Sequence, residues 1–94
     1  MEQLEEIRAT LLAGKSLEAI EAANRVAGNE AAEAALRAEA YYIMGNAYRQ
    51  LNDWKGALGC YCEAVELDPS SPAAEAYKAA QAVLGFYDHD LFNP

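Results

Sequence analysis

Eight residues in the middle of the chain constrain its fold more than any other feature. Tyr41, Met44, Gly45 and Tyr48 precede an Asn52-Asp53 break; Ala57, Tyr61, Ala64 and Pro69 follow it. Tyr41, Met44 and Tyr48 recur at i, i+3 and i+7, which places them on one face of a helix. Gly45 and Ala57 are small where two helices of a hairpin would approach, and a larger side chain there would overpack the contact by about 1–3 kcal/mol. Pro69 cannot continue a helical hydrogen-bond ladder, so it closes the second helix. The spacing predicts two antiparallel helices joined by a short turn.

The rest of the chain reads as further helices. Leu4, Ile7 and Leu11 share a face of a segment from about Glu2 to Ala13, ended by Gly14. Ser16 is the expected N-cap of a second helix carrying Leu17, Ile20 and Val26 and stopping at Gly28. Asn29 is expected to cap a long third helix from Glu30 to about Leu51, and Asp53 a fourth from Trp54 to about Leu67. After Asp68-Pro69-Ser70, the pair Ser71-Pro72 opens a fifth, ending near Tyr87. The segment from Asp88 to Pro94 carries no helical signal. Alanine, leucine and glutamate dominate while β-branched residues are scarce, which favours helix over strand. A chain of 94 residues holds one domain, and one of modest stability.

The eight spaced residues resemble the signature of the 34-residue tetratricopeptide repeat (TPR), with Tyr41, Met44 and Tyr61 at positions usually held by Trp, Leu and Phe. The resemblance is strong from Ala38 to Ser71. It extends to a degenerate first copy, in which Leu4, Ile7 and Leu11 match Tyr41, Met44 and Tyr48, and Ala19 matches Ala57. There Arg8 stands for Gly45, Ala23 for the aromatic, and Gly28-Asn29 for the proline. The ending also resembles that of small stand-alone bacterial TPR proteins. The resemblance implies an all-α fold of stacked antiparallel hairpins: a degenerate repeat over 1–28, a strong repeat over 29–71 with an N-terminally extended first helix, a capping helix over 72–87 and a tail over 88–94. The fifth helix carries an apolar stripe of Ala73, Ala76, Tyr77, Ala80, Val83, Leu84 and Tyr87, and core packing is the favoured reading. Stacked like the first helix of a repeat, it would instead turn Tyr77 and Val83 to the groove.

Function follows from the same resemblance. The first helix of each TPR hairpin lines a concave face, so a partner peptide or helix would meet Glu39, Tyr42, Asn46, Arg49, Gln50 and Tyr77. An aromatic, an amide and a guanidinium on one face suit peptide recognition. Asn46 stands where some chaperone-binding TPR domains place an asparagine to clamp a C-terminal carboxylate, but Tyr42, Ala73 and Tyr77 stand where that clamp needs its cations. A second reading is self-association: two hairpins and one helix are few for a repeat array, so the chain is expected as a sealed monomer or as a homodimer using the fifth helix and Leu91-Phe92.

Other chemistry finds little footing. The formal net charge of −8, from 7 Lys+Arg and 15 Asp+Glu, repels a phosphate backbone. As a whole it favours basic or amphipathic targets. No stretch approaches the ~18 apolar residues of a membrane span. Met1-Glu2-Gln3-Leu4-Glu5-Glu6 lacks the basic start and apolar run of a secretory signal. Cys60 and Cys62, two apart on a helix, point in different directions and are read as packing residues of a reduced, cytoplasmic protein. His89, flanked by Asp88 and Asp90 in the expected tail, is read as a solvated residue, whereas acid–base work needs a group positioned in a pocket. No metal-ligand spacing or phosphate-cradling loop occurs. The expectation is therefore a cofactor-free, non-catalytic protein with no nucleic-acid or membrane partner.

Overall fold

The computed structural model describes the backbone of residues 2–92 and the side chains of residues 3–85. Five helices follow one another: α1 (Glu2–Leu12), α2 (Ser16–Ala27), α3 (Ala34–Gln50), α4 (Trp54–Leu67) and α5 (Ala73–Phe92). Each packs mainly on its neighbour in sequence, and α1 also touches α3. No strand occurs among the described residues. The reversals form where the chain tolerates left-handed backbone: Gly14 at φ +82° and Asn52 at φ +62°. Asp53 then caps α4, its Oδ1 accepting from the Gly56 N–H at 2.9 Å.

Two apolar clusters run the length of the stack. Leu4, Ile7 and Leu11 of α1 meet Ala19, Ala23 and Val26 of α2 and Ile43, Met44 and Ala47 of α3. Beyond α3, Tyr61, Ala57 and Ala64 of α4 meet Ala38, Ala73 and Ala80. Tyr41 and Tyr48, half-buried, pack against both clusters and join them into one core. Tyr61 is wholly buried, and its ring lies where a Gly45 side chain would be. Any Cβ at Gly45 would overlap that ring. In the first hairpin the aromatic is replaced by Ala23, and Arg8 occupies the glycine's position without conflict. Arg8 reaches across to Glu39 instead, at 2.8 Å, tying α1 to α3.

Three expectations are corrected. The extended third helix is not formed: α3 begins at Ala34, with Glu33 as its N-cap. Asn29 instead accepts from the Ala31 N–H at 3.1 Å, and its carbonyl accepts from Ala32 at 3.0 Å, so residues 29–32 turn. Arg37 fixes this geometry by donating from Nε to the Ala27 carbonyl at 2.7 Å, holding the start of α3 to the end of α2. Second, Ser16 does not cap α2; the cap position is Lys15, without a side-chain bond, and the Ser16 hydroxyl turns inward. Ser71 does cap, accepting from the Ala73 N–H at 3.0 Å. Third, α5 continues to Phe92, so Asp88, His89 and Asp90 lie on a helix and not in a loop. The side chains of Tyr87, His89, Leu91 and Phe92 lie outside the described residues.

The exposed surface of α5 differs from the matching surface of α3. One 34-residue repeat beyond Tyr41, Met44, Gly45 and Tyr48 stand Glu75, Lys78, Ala79 and Ala82. All four are exposed. The matching stripe of α5 is thus polar or small.

The Tyr61–Gly45 contact makes a direct prediction. Gly45→Ala should lower unfolding free energy by about 1–3 kcal/mol through overpacking. Arg8→Gly, at the equivalent place in the first hairpin, should gain nothing from tighter packing. Urea denaturation of both variants measures the difference, and an unperturbed Gly45→Ala would refute the contact's importance.

Candidate functional site

The side chains singled out for partner contact are organised by α3, which runs through the centre of the molecule. Glu39 is part-buried and committed to Arg8 of α1. Tyr42 is half-buried, its ring centroid 6.0 Å from that of Tyr61. Asn46 accepts from the Tyr61 hydroxyl through Oδ1 at 2.6 Å. Arg49 lies over the Trp54 ring, its Cζ 5.1 Å from the centroid. That separation gives a cation–π contact. Asn46, Arg49, Gln50 and Trp54 together line an open cleft of about 300 Å³.

Gln50 occupies the rim of this cleft, but its amide serves the fold. Its Nε2 donates to the Leu11 carbonyl at 3.1 Å, and its Oε1 accepts from the buried Ser16 hydroxyl at 2.6 Å. One side chain thereby satisfies two groups at the turn of the first hairpin and ties that turn to α3. Tyr77 belongs elsewhere. It lines a separate, mostly apolar cleft of about 310 Å³ between α4 and α5, with Cys62, Val65, Glu66, Ala74, Lys78 and Gln81.

Two residues escaped the reading of the sequence. Trp54 was legible only as a helix start, although its position five residues after Arg49, across a tight turn, brings ring and guanidinium together. Leu12 is 87% exposed, the most exposed large apolar side chain described. The offset that aligns Leu4 with Tyr41 also aligns Leu12 with Arg49, so carrying the inner-face positions into the degenerate repeat would have found it.

Titrating groups in the core are kept neutral. Burial, reinforced by Asp53 and Glu63, pushes the Cys60 thiol up to about 11. Burial also raises Tyr61, against the opposing influence of Arg49 beside it. Cys60 and Cys62 are both free thiols. Among the described residues no three His, Cys, Asp or Glu side chains gather as metal ligands. Nor is any described helix long and apolar enough to cross a membrane.

Comparison with known proteins places this geometry. The tetratricopeptide-repeat profile matches residues 38–71. A Bacteroides fragilis protein of known solution NMR structure is 41% identical, with 99% of this chain and 91% of that one covered and a TM-score of 0.84. The chain belongs to the tetratricopeptide-repeat family. None of the curated proteins compared with it shows significant similarity. The TPR motif supports a general protein-interaction role, and TPR folds are typically non-catalytic.

Two outcomes test the site's architecture. Gln50→Ala strands the buried Ser16 hydroxyl and should cost about 1–3 kcal/mol in urea unfolding. The double variant with Ser16→Ala should cost less than the two single changes summed, and strict additivity would exclude the bond. The Cys60 thiol keeps its proton more tightly in the folded chain. Its stabilising contribution is therefore intact below the ordinary thiol value of 9.0 and is lost as pH rises toward about 11. The urea midpoint should fall across that interval, and fall less in Cys60→Ala.

Proposed function

We propose that this TPR chain is an interaction adaptor that holds a peptide or helix of a partner protein along the face carrying Tyr42, Asn46, Arg49 and Gln50. The observation that carries the reading is the cleft of Asn46, Arg49, Gln50 and Trp54. It joins an amide and a guanidinium to an aromatic ring on a rigid helix, which is the mixture that dominates binding energy at protein interfaces. Exposed Leu12, in register with Arg49 one hairpin earlier, adds an apolar contact on the same side of the stack. Rigid presentation matters, because a surface already ordered loses little entropy on binding.

Self-association is the alternative reading. It draws on α5, whose helix reaches Phe92, and on the α4–α5 cleft that includes Tyr77. A solution mass of 10.2 kDa by light scattering across a wide concentration range would discard it.

Capture from the native cell extract tests the adaptor reading. Partner retention should drop about tenfold or more in Leu12→Glu and in Arg49→Ala, as expected of central contact residues. Glu63→Ala, on another face of α4, should retain the partner fully. Equal retention by all three variants would remove the proposed face.

A further inference from the structure

The hydrogen-bonding groups on the proposed face are not evenly available. Glu39 gives its carboxylate to Arg8. Gln50 uses its oxygen on Ser16 and its nitrogen on Leu11. Asn46 uses its oxygen on Tyr61, and the Trp54 indole N–H donates to Asn52 Oδ1 at 3.0 Å. Asp53 lines a different cleft and caps α4 through the Gly56 N–H. Toward the cleft stand the Asn46 Nδ2 group and the Arg49 guanidinium, which also lies beside the Tyr61 hydroxyl. Both are donors.

Arg49 carries the argument further. Among the described residues it forms no ion pair with a carboxylate. The contact with Trp54 positions the guanidinium, and a cation–π contact leaves N–H groups of an arginine for a second ligand. Its fork of donors matches two oxygens at once. A lysine of a partner would meet the like charge of Arg49 in this cleft. The chain's charge of −8 acts against an acidic partner at long range, but interactions between exposed charges fade beyond about 10 Å at moderate salt. At contact distance the local donors decide.

We infer that the Asn46–Arg49–Trp54 cleft recognises the carboxylate of an aspartate or glutamate side chain in an acidic partner segment. This rests on the adaptor reading of the same face and makes it specific. The cation comes from Arg49, not from the positions of the C-terminal carboxylate clamp, where Tyr42, Ala73 and Tyr77 stand. The ligand is an internal acidic side chain with an apolar neighbour, since exposed Leu12 stands in register with Arg49 one hairpin earlier.

The test uses the full chain, ¹⁵N-labelled, and three end-blocked heptapeptides with leucine flanks that differ only in carrying Glu, Gln or Lys at the centre. The Glu peptide should shift the Arg49 Nε–H, Asn46 Nδ2 and Trp54 indole resonances and bind about fivefold more tightly than the Gln peptide. The Lys peptide should bind weakest, and about 0.5 M salt should erase the Glu-over-Gln ratio. Arg49→Gln should bring that ratio to unity, while Arg49→Lys, which keeps the charge without the fork, retains part of it. Using a ratio within each variant removes any general loss of fold. Equal binding of the Glu and Gln peptides, a preference for Lys, or no shift with the Glu peptide at millimolar concentration overturns the inference. The adaptor reading is separately judged by native-partner capture with Leu12→Glu, so one can fail without the other.

Discussion

The contact of the Tyr61 ring with the backbone of Gly45 sets the distance between α3 and α4, and most other features depend on that distance. With a Cβ at position 45 the ring would have to leave, and with it the filling of the second cluster among Ala38, Ala57, Ala64 and Ala73. The same ring carries its hydroxyl to Asn46 Oδ1 at 2.6 Å. Core packing and surface chemistry therefore share one side chain. The aromatic fixes the orientation of the amide, and the amide's remaining donor is what the cleft presents. Bonds from buried phenols to fixed amides gain strength in a low-dielectric interior, which makes this orientation a property of the fold.

The first hairpin shows how much of the arrangement depends on that residue. With Ala23 in place of the aromatic, nothing demands a glycine, and Arg8 is accommodated. The hairpin is then held to α3 by polar ties instead: Arg8 to Glu39, Arg37 to the Ala27 carbonyl, and Gln50 to Leu11 and Ser16. Exposed ion pairs such as Arg8–Glu39 contribute at most about 1 kcal/mol. Bonds that satisfy buried groups, such as the Ser16 hydroxyl, weigh more, because losing them strands a desolvated atom.

These differences explain what could be read from the sequence. The α3–α4 hairpin was legible because its signature is a set of sizes at fixed spacing, and size at a helix–helix contact is a local demand. The start of α3 was not. Residues 30–33 are good helix formers, yet the chain must reverse after α2, and the Arg37–Ala27 bond sets where the reversal ends. Tertiary geometry overrode propensity there. The inward turn of Ser16 was hidden for a similar reason, since its partner Gln50 lies 34 residues away. At the candidate cleft, the residues on α3 were named from the resemblance to the repeat family. Trp54 and Leu12 were not, because one depends on how a tight turn folds back and the other on aligning a repeat that has lost its signature.

Which donors and acceptors are free is a property of the folded chain alone. A face reading Glu39, Tyr42, Asn46, Arg49, Gln50 offers both kinds of group in equal measure as a sequence, and the net charge of −8 would favour a basic partner. Folding engages part of the acceptors: Glu39 Oε2 pairs with Arg8, Gln50 Oε1 accepts from Ser16 and Asn46 Oδ1 from Tyr61. The cleft keeps the Arg49 charge beside an aromatic ring. An acidic protein can thus carry a site that selects against its own net charge, because a hydrogen bond is decided at about 3 Å while the summed charge acts through screened solvent.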